Sequence, residues 1–298
     1  MRNNSLYLNC KSLGTFRSKY SVKVAVIARP DWYLEKYRYK HVVIETKRGL
    51  HERCFLTEHN GIPFLVVYGR FDRIRTTSRN INFILTQEVV SSLGIETLVG
   101  TFSCGSIKAT SKAGDIYILD NLVGMGAFEQ TRNGTSGFRN VDMLEPFCTE
   151  GTKILRRIVK GSPFPVHKSG TYVCFHGYPR IETGAELAFY AKNGWDVVGQ
   201  TADPEATLAR EAGCHYVALA ATIDDRKLRN RFLKNDPNAR RIIERYILEG
   251  RKKTFDIFLS ALPKLLSING GRCNCRQQAN HVSGKSKFFE YLPTFMME

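Results

Sequence analysis

The first third of the chain sets short β-branched runs between turn-rich breaks. Val22 to Ile27 is apolar except for Lys23 and predicts a buried first strand. Tyr39–Glu45 and His51–Thr57 predict a hairpin across Lys47, Arg48 and Gly49, and Gly61–Gly69 predicts another buried strand. Asn82–Leu93 places apolar residues at helical spacing and stops at Gly94, a C-cap residue. A strand then begins at Thr97–Val99 and runs into the turn TFSCGS, and the strand IYILDNLVG follows Ala113, Gly114 and Asp115. Residues 126–142 hold no sustained period and read as a loop.

From Gly151 onward, helical and strand patterns take turns. Helices are predicted over Gly151–Val159, Thr183–Asn193, Pro204–Ala212 and Arg240–Leu266, with strands over Thr171–Phe175, Asp196–Gly199 and Tyr216–Thr222. Such alternation predicts an α/β fold, a mostly parallel sheet flanked by helices on both faces. The 298 residues fit a single domain. No apolar run approaches the roughly 18 residues of a membrane span.

Charge changes the picture. A formal net charge of +16 exceeds the charge of about 2–8 that keeps a small domain soluble, and a field of this sign attracts polyanions such as RNA, DNA or an acidic membrane. Residues 1–30 carry six basic side chains and no acidic one, which suits either a mitochondrial transit peptide or a basic arm on nucleic acid. Candidate nucleic-acid contacts are Arg2, Lys11, Arg17, Lys19, Arg226, Lys227, Arg229, Arg231, Arg251, Lys252, Lys253, Arg272 and Arg276.

The eight cysteines are scattered, many of them in apolar contexts, as expected of free thiols in a reducing compartment, mitochondrial or cytoplasmic. Cys273 and Cys275, with His281 downstream, lack a second ligand pair at zinc spacing, so no metal is expected.

The stretch Gly170 to Asp225 carries the strongest resemblance: GTYVCFHGYPRIETGAE, then GWDVVGQTADPEATLAREAG, then ATIDD. It is similar to the purine nucleoside phosphorylases, most closely the methylthioadenosine phosphorylase branch. The likeness extends from about Lys23 to Leu266 through GTFSCGSIKATSKAGDIYILDNL and VDMLEPFCTE. It implies a single-domain phosphorylase-type fold with a mixed, mostly parallel sheet at residues 23–266, between a basic extension at 1–22 and a basic, aromatic tail at 267–298. It also implies no cofactor, phosphate serving only as co-substrate, a purine nucleoside as substrate, and a trimeric assembly.

Phosphorolysis needs charge-assisted donors around a phosphate dianion and a group that stabilises the departing purine. The residues aligned with the family's phosphate cradle are altered. Pro30, which has neither N–H nor hydroxyl, stands with Asp31 in the first turn; Val67 and Tyr68 replace an Arg-His pair; and Phe102 replaces Thr or Asn, its ring expected to fill space that phosphate or ribose occupies. On the nucleoside side the resemblance points to Ser103, Ile181, Glu182, Gln200 and Thr201, with Asp225 or, after a one-residue slip, Asp224 as the base-binding carboxylate. Two readings stay open. One is a non-catalytic relative recruited to RNA or a ribonucleoprotein, of which a ribosome is an example. The other is an active phosphorylase, or a nucleosidase in which water replaces phosphate.

Overall fold

The structure, a computed structural model, describes residues 6–9, 11–46, 49–68, 81–126, 141–175, 180–268 and 272–276. Its described strands join in one 12-stranded sheet whose main path runs β1 (Leu6–Leu8), β3 (Tyr39–Thr46), β4 (Gly49–His59), β5 (Ile62–Val67), β2 (Val24–Ile27), β6 (Thr97–Ser106), β11 (Val197–Gly199), β10 (Thr171–Phe175), β8 (Asn121–Met125). Off this path, β12 (His215–Asp224) pairs with β6 and β7 (Ile116–Leu119), and β7 with β9 (Val166–His167). Strands β2, β5, β6 and β12 are mutually parallel along their contacts, whereas β3–β4, β4–β5, β6–β11 and β7–β12 are antiparallel. The mixed sheet and flanking helices agree with the fold class expected from the sequence.

Two apolar layers cover the sheet. One packs Phe16 of α1 (Leu13–Tyr20), Val89 and Val90 of α3 (Phe83–Ser92), and Ala202, Ala206 and Ala209 of α6 (Ala202–Glu211). The other packs Tyr33 and Leu34 of α2 (Asp31–Lys36), Leu155 of α4 (Thr149–Ile158), and Phe255, Phe258 and Leu262 of α8 (Pro237–Leu265). The remaining helices are α5 (Gly184–Lys192) and α7 (Arg226–Leu233). Helix ends follow local chemistry. Asn82 caps α3 by accepting from the Leu85 N–H at 2.9 Å, and the chain leaves that helix through Gly94 at φ +73°, a conformation that suits glycine. Asp236 caps α8, with Pro237 at its first position.

Three expectations change. TFSCGS is not a turn: β6 continues to Ser106 because its backbone is laddered to β12 on one side and to β2, then β11, on the other. IYILDNLVG is two strands, broken at Asp120, whose carboxylate takes Arg156 at 2.7 Å, the Ser169 hydroxyl at 2.6 Å and the Gly170 N–H at 3.2 Å. The basic N-terminal extension is part of the body from residue 6, since β1 pairs with β3 (Leu6 with Val42) and Phe16 is buried. Short elements such as β1 and α1 carry too few residues to show a period. Among the described residues, no helix is long and apolar enough to cross a membrane.

Candidate active site

In open α/β sheets, ligands bind outside the carboxyl ends of the parallel strands. Here those ends bring together the turn after β2, the residue after β5, the middle of β6 and the end of β12. Ile27 pairs with both Val67 and Gly100, and Asp224 pairs with Gly105. The Val198–Gly105 pair directs the end of β11, and so Gln200 and Thr201, toward Ser103.

The cradle segment holds a carboxylate. Asp31 opens α2 beside buried Pro30; its oxygens accept the Tyr68 hydroxyl and the Arg29 Nε, the latter at 2.8 Å. Burial and the bond to Asp31 push the Tyr68 phenol upward, so it stays protonated and donates. The Arg53 guanidinium lies 4.6 Å from the Tyr68 ring, and Asp31, Arg53 and Tyr68 line one wall of a 1830 Å³ groove between α2 and the β3–β5 hairpins. Val67 is fully buried in β5. Phe102 does not stand in an open cradle: its ring is buried in the layer under α6, 5.3 Å from Tyr172, because β6 turns alternate residues to opposite faces. Its neighbour Thr101 donates to the Ile27 carbonyl at 2.8 Å.

The nucleoside-side residues are less enclosed. Ile181 is 44% exposed; Glu182, Ser103, Gln200 and Thr201 are half-buried. Thr201 stands at the start of α6 with no side-chain capping bond. Burial raises the Glu182 carboxyl, opposed by the Arg229 charge and reinforced by that of Asp224. The two candidate aspartates are both engaged. Asp225 caps α7, accepting the Leu228 N–H at 2.8 Å. Asp224 is buried and takes Arg229 through Nη2 at 2.6 Å and Nε at 2.9 Å, with the Ser106 N–H at 3.2 Å.

Arg229 is therefore corrected as a nucleic-acid contact: it is buried in this pair, and its Nη2 also donates to the Ser106 carbonyl at 2.9 Å. Lys11, Arg17, Lys19, Arg226, Lys227, Arg231, Lys252, Arg272 and Arg276 are exposed, and Arg251 and Lys253 are half-buried. Arg17 donates to the Ser92 carbonyl at 2.8 Å, Arg231 pairs with Asp236 at 2.8 Å and Arg276 with Glu96 at 3.0 Å. Arg2 and the segment His176–Pro179 lie outside the described residues.

At the opposite end of β12, Cys273 and Cys275 meet two further side chains with donor atoms, although no second ligand pair stands near them in the sequence. Cys148, His215, Cys273 and Cys275, all buried, bring one ligand atom each within 4.8 Å of one another. These residues come from three distant segments, so no local spacing announces them.

A family model described as the phosphorylase superfamily matches residues 25–249. The 6-oxopurine nucleoside phosphorylase of Pyrococcus furiosus is 30% identical over 235 residues, covering 75% of this chain and 84% of that protein. The S-methyl-5'-thioadenosine phosphorylase of Thermococcus kodakarensis is 40% identical over 139 residues, 45% of this chain and 52% of that one. A solved methylthioadenosine phosphorylase from Schistosoma mansoni, in complex with tubercidin, superposes with a TM-score of 0.72 at 18% identity, covering 88% of this chain and 97% of that chain. Another, from an antarctic soil metagenomic library, gives a TM-score of 0.74 at 23% identity, covering 88% and 92%. The family model spanning residues 25–249 and the 30% identity over 235 residues place this chain in the phosphorylase superfamily, among relatives that are purine nucleoside and methylthioadenosine phosphorylases.

Proposed function

We propose that this protein does not carry out phosphorolysis, and that its phosphorylase body serves as a binding scaffold whose partner is a polyanion, RNA or a ribonucleoprotein, in a reducing compartment. The observation that carries the first half is Asp31. A carboxylate fixed by Tyr68 and Arg29 sits where the family resemblance places the phosphate cradle. Its negative charge opposes an incoming dianion, and the Arg29 guanidinium beside it is already paired with it. Pro30 contributes neither a hydroxyl nor an N–H in compensation. The polyanion half rests on the +16 charge and on Arg226 and Lys227, which the start of α7 presents to solvent.

The test is to follow methylthioadenosine and inosine with the purified full chain, with and without phosphate, and to titrate RNA binding against salt. No phosphate-dependent consumption and a steep loss of RNA affinity with salt are expected. Phosphate-driven turnover at rates typical of enzymes would overturn the first half, and a flat salt response the second.

Glu182 favours one other reading, a nucleosidase. A carboxyl raised by burial beside the nucleoside-side residues has the character of a general acid, and water needs no cationic cradle. Consumption without phosphate, falling as pH rises through the raised Glu182 value and abolished in E182Q, is the result that selects it.

A further inference from the structure

The amino end of β12 carries a second cluster that the nucleoside chemistry does not use. His215 is fully buried, and its Nδ1 faces two sulfur atoms, Cys148 Sγ at 3.6 Å and Cys273 Sγ at 3.2 Å. Its Nε2 has no hydrogen-bond partner among the described residues. Thiols are weak hydrogen-bond partners for Nδ1, and a metal bond at that atom replaces two weak contacts with a strong one. Cys275 completes the group, and all three cysteines are free thiols.

We propose that Cys148, His215, Cys273 and Cys275 form a closed Cys3His structural zinc site that clamps residues 272–276 to the starts of β12 and α4. The donor set is that of a four-coordinate structural zinc, with sulfur and imidazole ligands and no oxygen. The size also fits. Zinc bonds of about 2.3 Å to sulfur and about 2.05 Å to nitrogen give tetrahedral edges of roughly 3.5 Å between sulfur and nitrogen and roughly 3.8 Å between sulfurs. The observed sulfur–nitrogen separations of 3.2 and 3.6 Å, and the 4.8 Å limit on the whole group, need only small adjustments to reach those edges.

Two backbone bonds and an ion pair hold three of the ligands in advance. The Cys148 N–H donates to the Tyr216 carbonyl at 2.7 Å, and its sulfur caps α4, accepting the Gly151 N–H at 3.5 Å. The His215 N–H donates to the Glu96 carbonyl at 2.9 Å, and the Glu96 side chain holds Arg276, next to Cys275, at 3.0 Å. On binding, zinc displaces the thiol protons to solvent, and no oxidant or reductant is needed. A disulfide is a different use of the same sulfurs: it joins two of the three and leaves His215 without a role.

The experiment uses the full chain, expressed with zinc in the medium and purified without chelator. Metal analysis, thiol titration before and after chelation, and absorption of the cobalt-substituted protein are the readouts. One zinc per chain is expected, with three thiols masked until chelation and a thiolate-to-cobalt charge-transfer band with tetrahedral ligand-field bands. H215A and C275S should weaken zinc affinity by about ten-fold or more, while C54A, at a buried cysteine elsewhere, keeps full metal content. Because the cobalt spectrum is read on the unaltered protein, it decides the matter even where a variant fails to fold. Metal-free protein with all thiols reactive, or a mass showing two of the three sulfurs oxidised to a disulfide, overturns the proposal.

Discussion

Strand β12 has a buried polar group at each end, and the two are treated differently. At the carboxyl end, Asp224 is fully partnered by a guanidinium five residues later and by a backbone N–H. At the amino end, among the described residues, His215 has thiols against one ring nitrogen and no hydrogen-bond partner on the other. The two residues are nine positions apart on one strand, about 30 Å, so neither influences the other. The closed end lies beside the residues that the family resemblance assigns to the nucleoside, and the histidine group lies at the other end of the strand. A carboxylate saturated by protein donors has little left for a ligand, whereas an imidazole held against three cysteines leaves donors for a metal. The chemistry still waiting for a partner is thus at the end of the sheet opposite the inherited site.

The largest expected effect breaks the satisfied end. R229M leaves Asp224 buried with the Ser106 N–H alone, and also removes the donor to the Ser106 carbonyl. Leaving one member of a buried pair uncompensated costs about 3–5 kcal/mol, and replacing both by apolar residues of similar size costs much less. Urea denaturation should therefore show a deep loss in R229M that the double variant D224L/R229M largely recovers. An R229M protein within about 1 kcal/mol of the parent would mean that water reaches Asp224, and would return it to consideration as a base-binding carboxylate.

A smaller effect probes the other end through packing. Gly151 lies one helical turn from Cys148, and a Cβ added there meets Val217 Cγ2 at 2.3 Å. Alanine gains up to about 1 kcal/mol of helix propensity over glycine, but overpacking against a β-branched core residue costs about 1–3 kcal/mol. The clash should win. G151A is expected to be destabilised in the same denaturation assay and, by pushing α4 off β12, to bind zinc more weakly. A stabilised variant with unchanged metal content would show that α4 and β12 are not tightly joined at the cluster.

The same contrast explains what could be read from the chain. The strands and helices of residues 171–224 and the hairpin β3–β4 follow periodicities of 2 and 3.6, and their existence was legible. The helix end at Gly94 was legible too. The Asp224–Arg229 pair was within reach, since both residues lie in RKLRNR and the acidic pair before it, yet charge alone reads Arg229 as surface. What separates a buried arginine from an exposed one is the Ser106 carbonyl contributed by β6, which no local pattern contains. The ligand cluster was illegible for the same reason at larger scale. CxC is visible, but Cys148 and His215 join it only after α4 and β12 have packed. The inward turn of Phe102 likewise depends on strand register: TFSCGS read as a turn leaves its direction undetermined, and read as strand fixes it toward Tyr172.

The smallest expected effect sets the buried pair against an exposed one of the same chemistry. Arg180 grips Glu186 through two nitrogens at 2.8 and 2.9 Å on the solvent side of α5, where Glu186 and Thr183 form a capping box. The Arg180 contact, ahead of the Thr183 backbone bond, holds the Glu186 carboxyl at about 2, below its ordinary value of 4.5. A folded-state value below the unfolded one means that the group's contribution is complete above about pH 4.5 and is lost as pH falls toward about 2. Because the pair is solvent-screened, that contribution should be a small fraction of the Arg229 effect. E186Q should therefore lower stability slightly near neutrality and converge with the parent as pH falls toward about 2, which flattens the profile in this acid window; T183A gives the scale of the cap itself at about 1 kcal/mol. If E186Q cost as much as R229M, exposure would not be what distinguishes the two pairs, and the contrast drawn along β12 would fail with it.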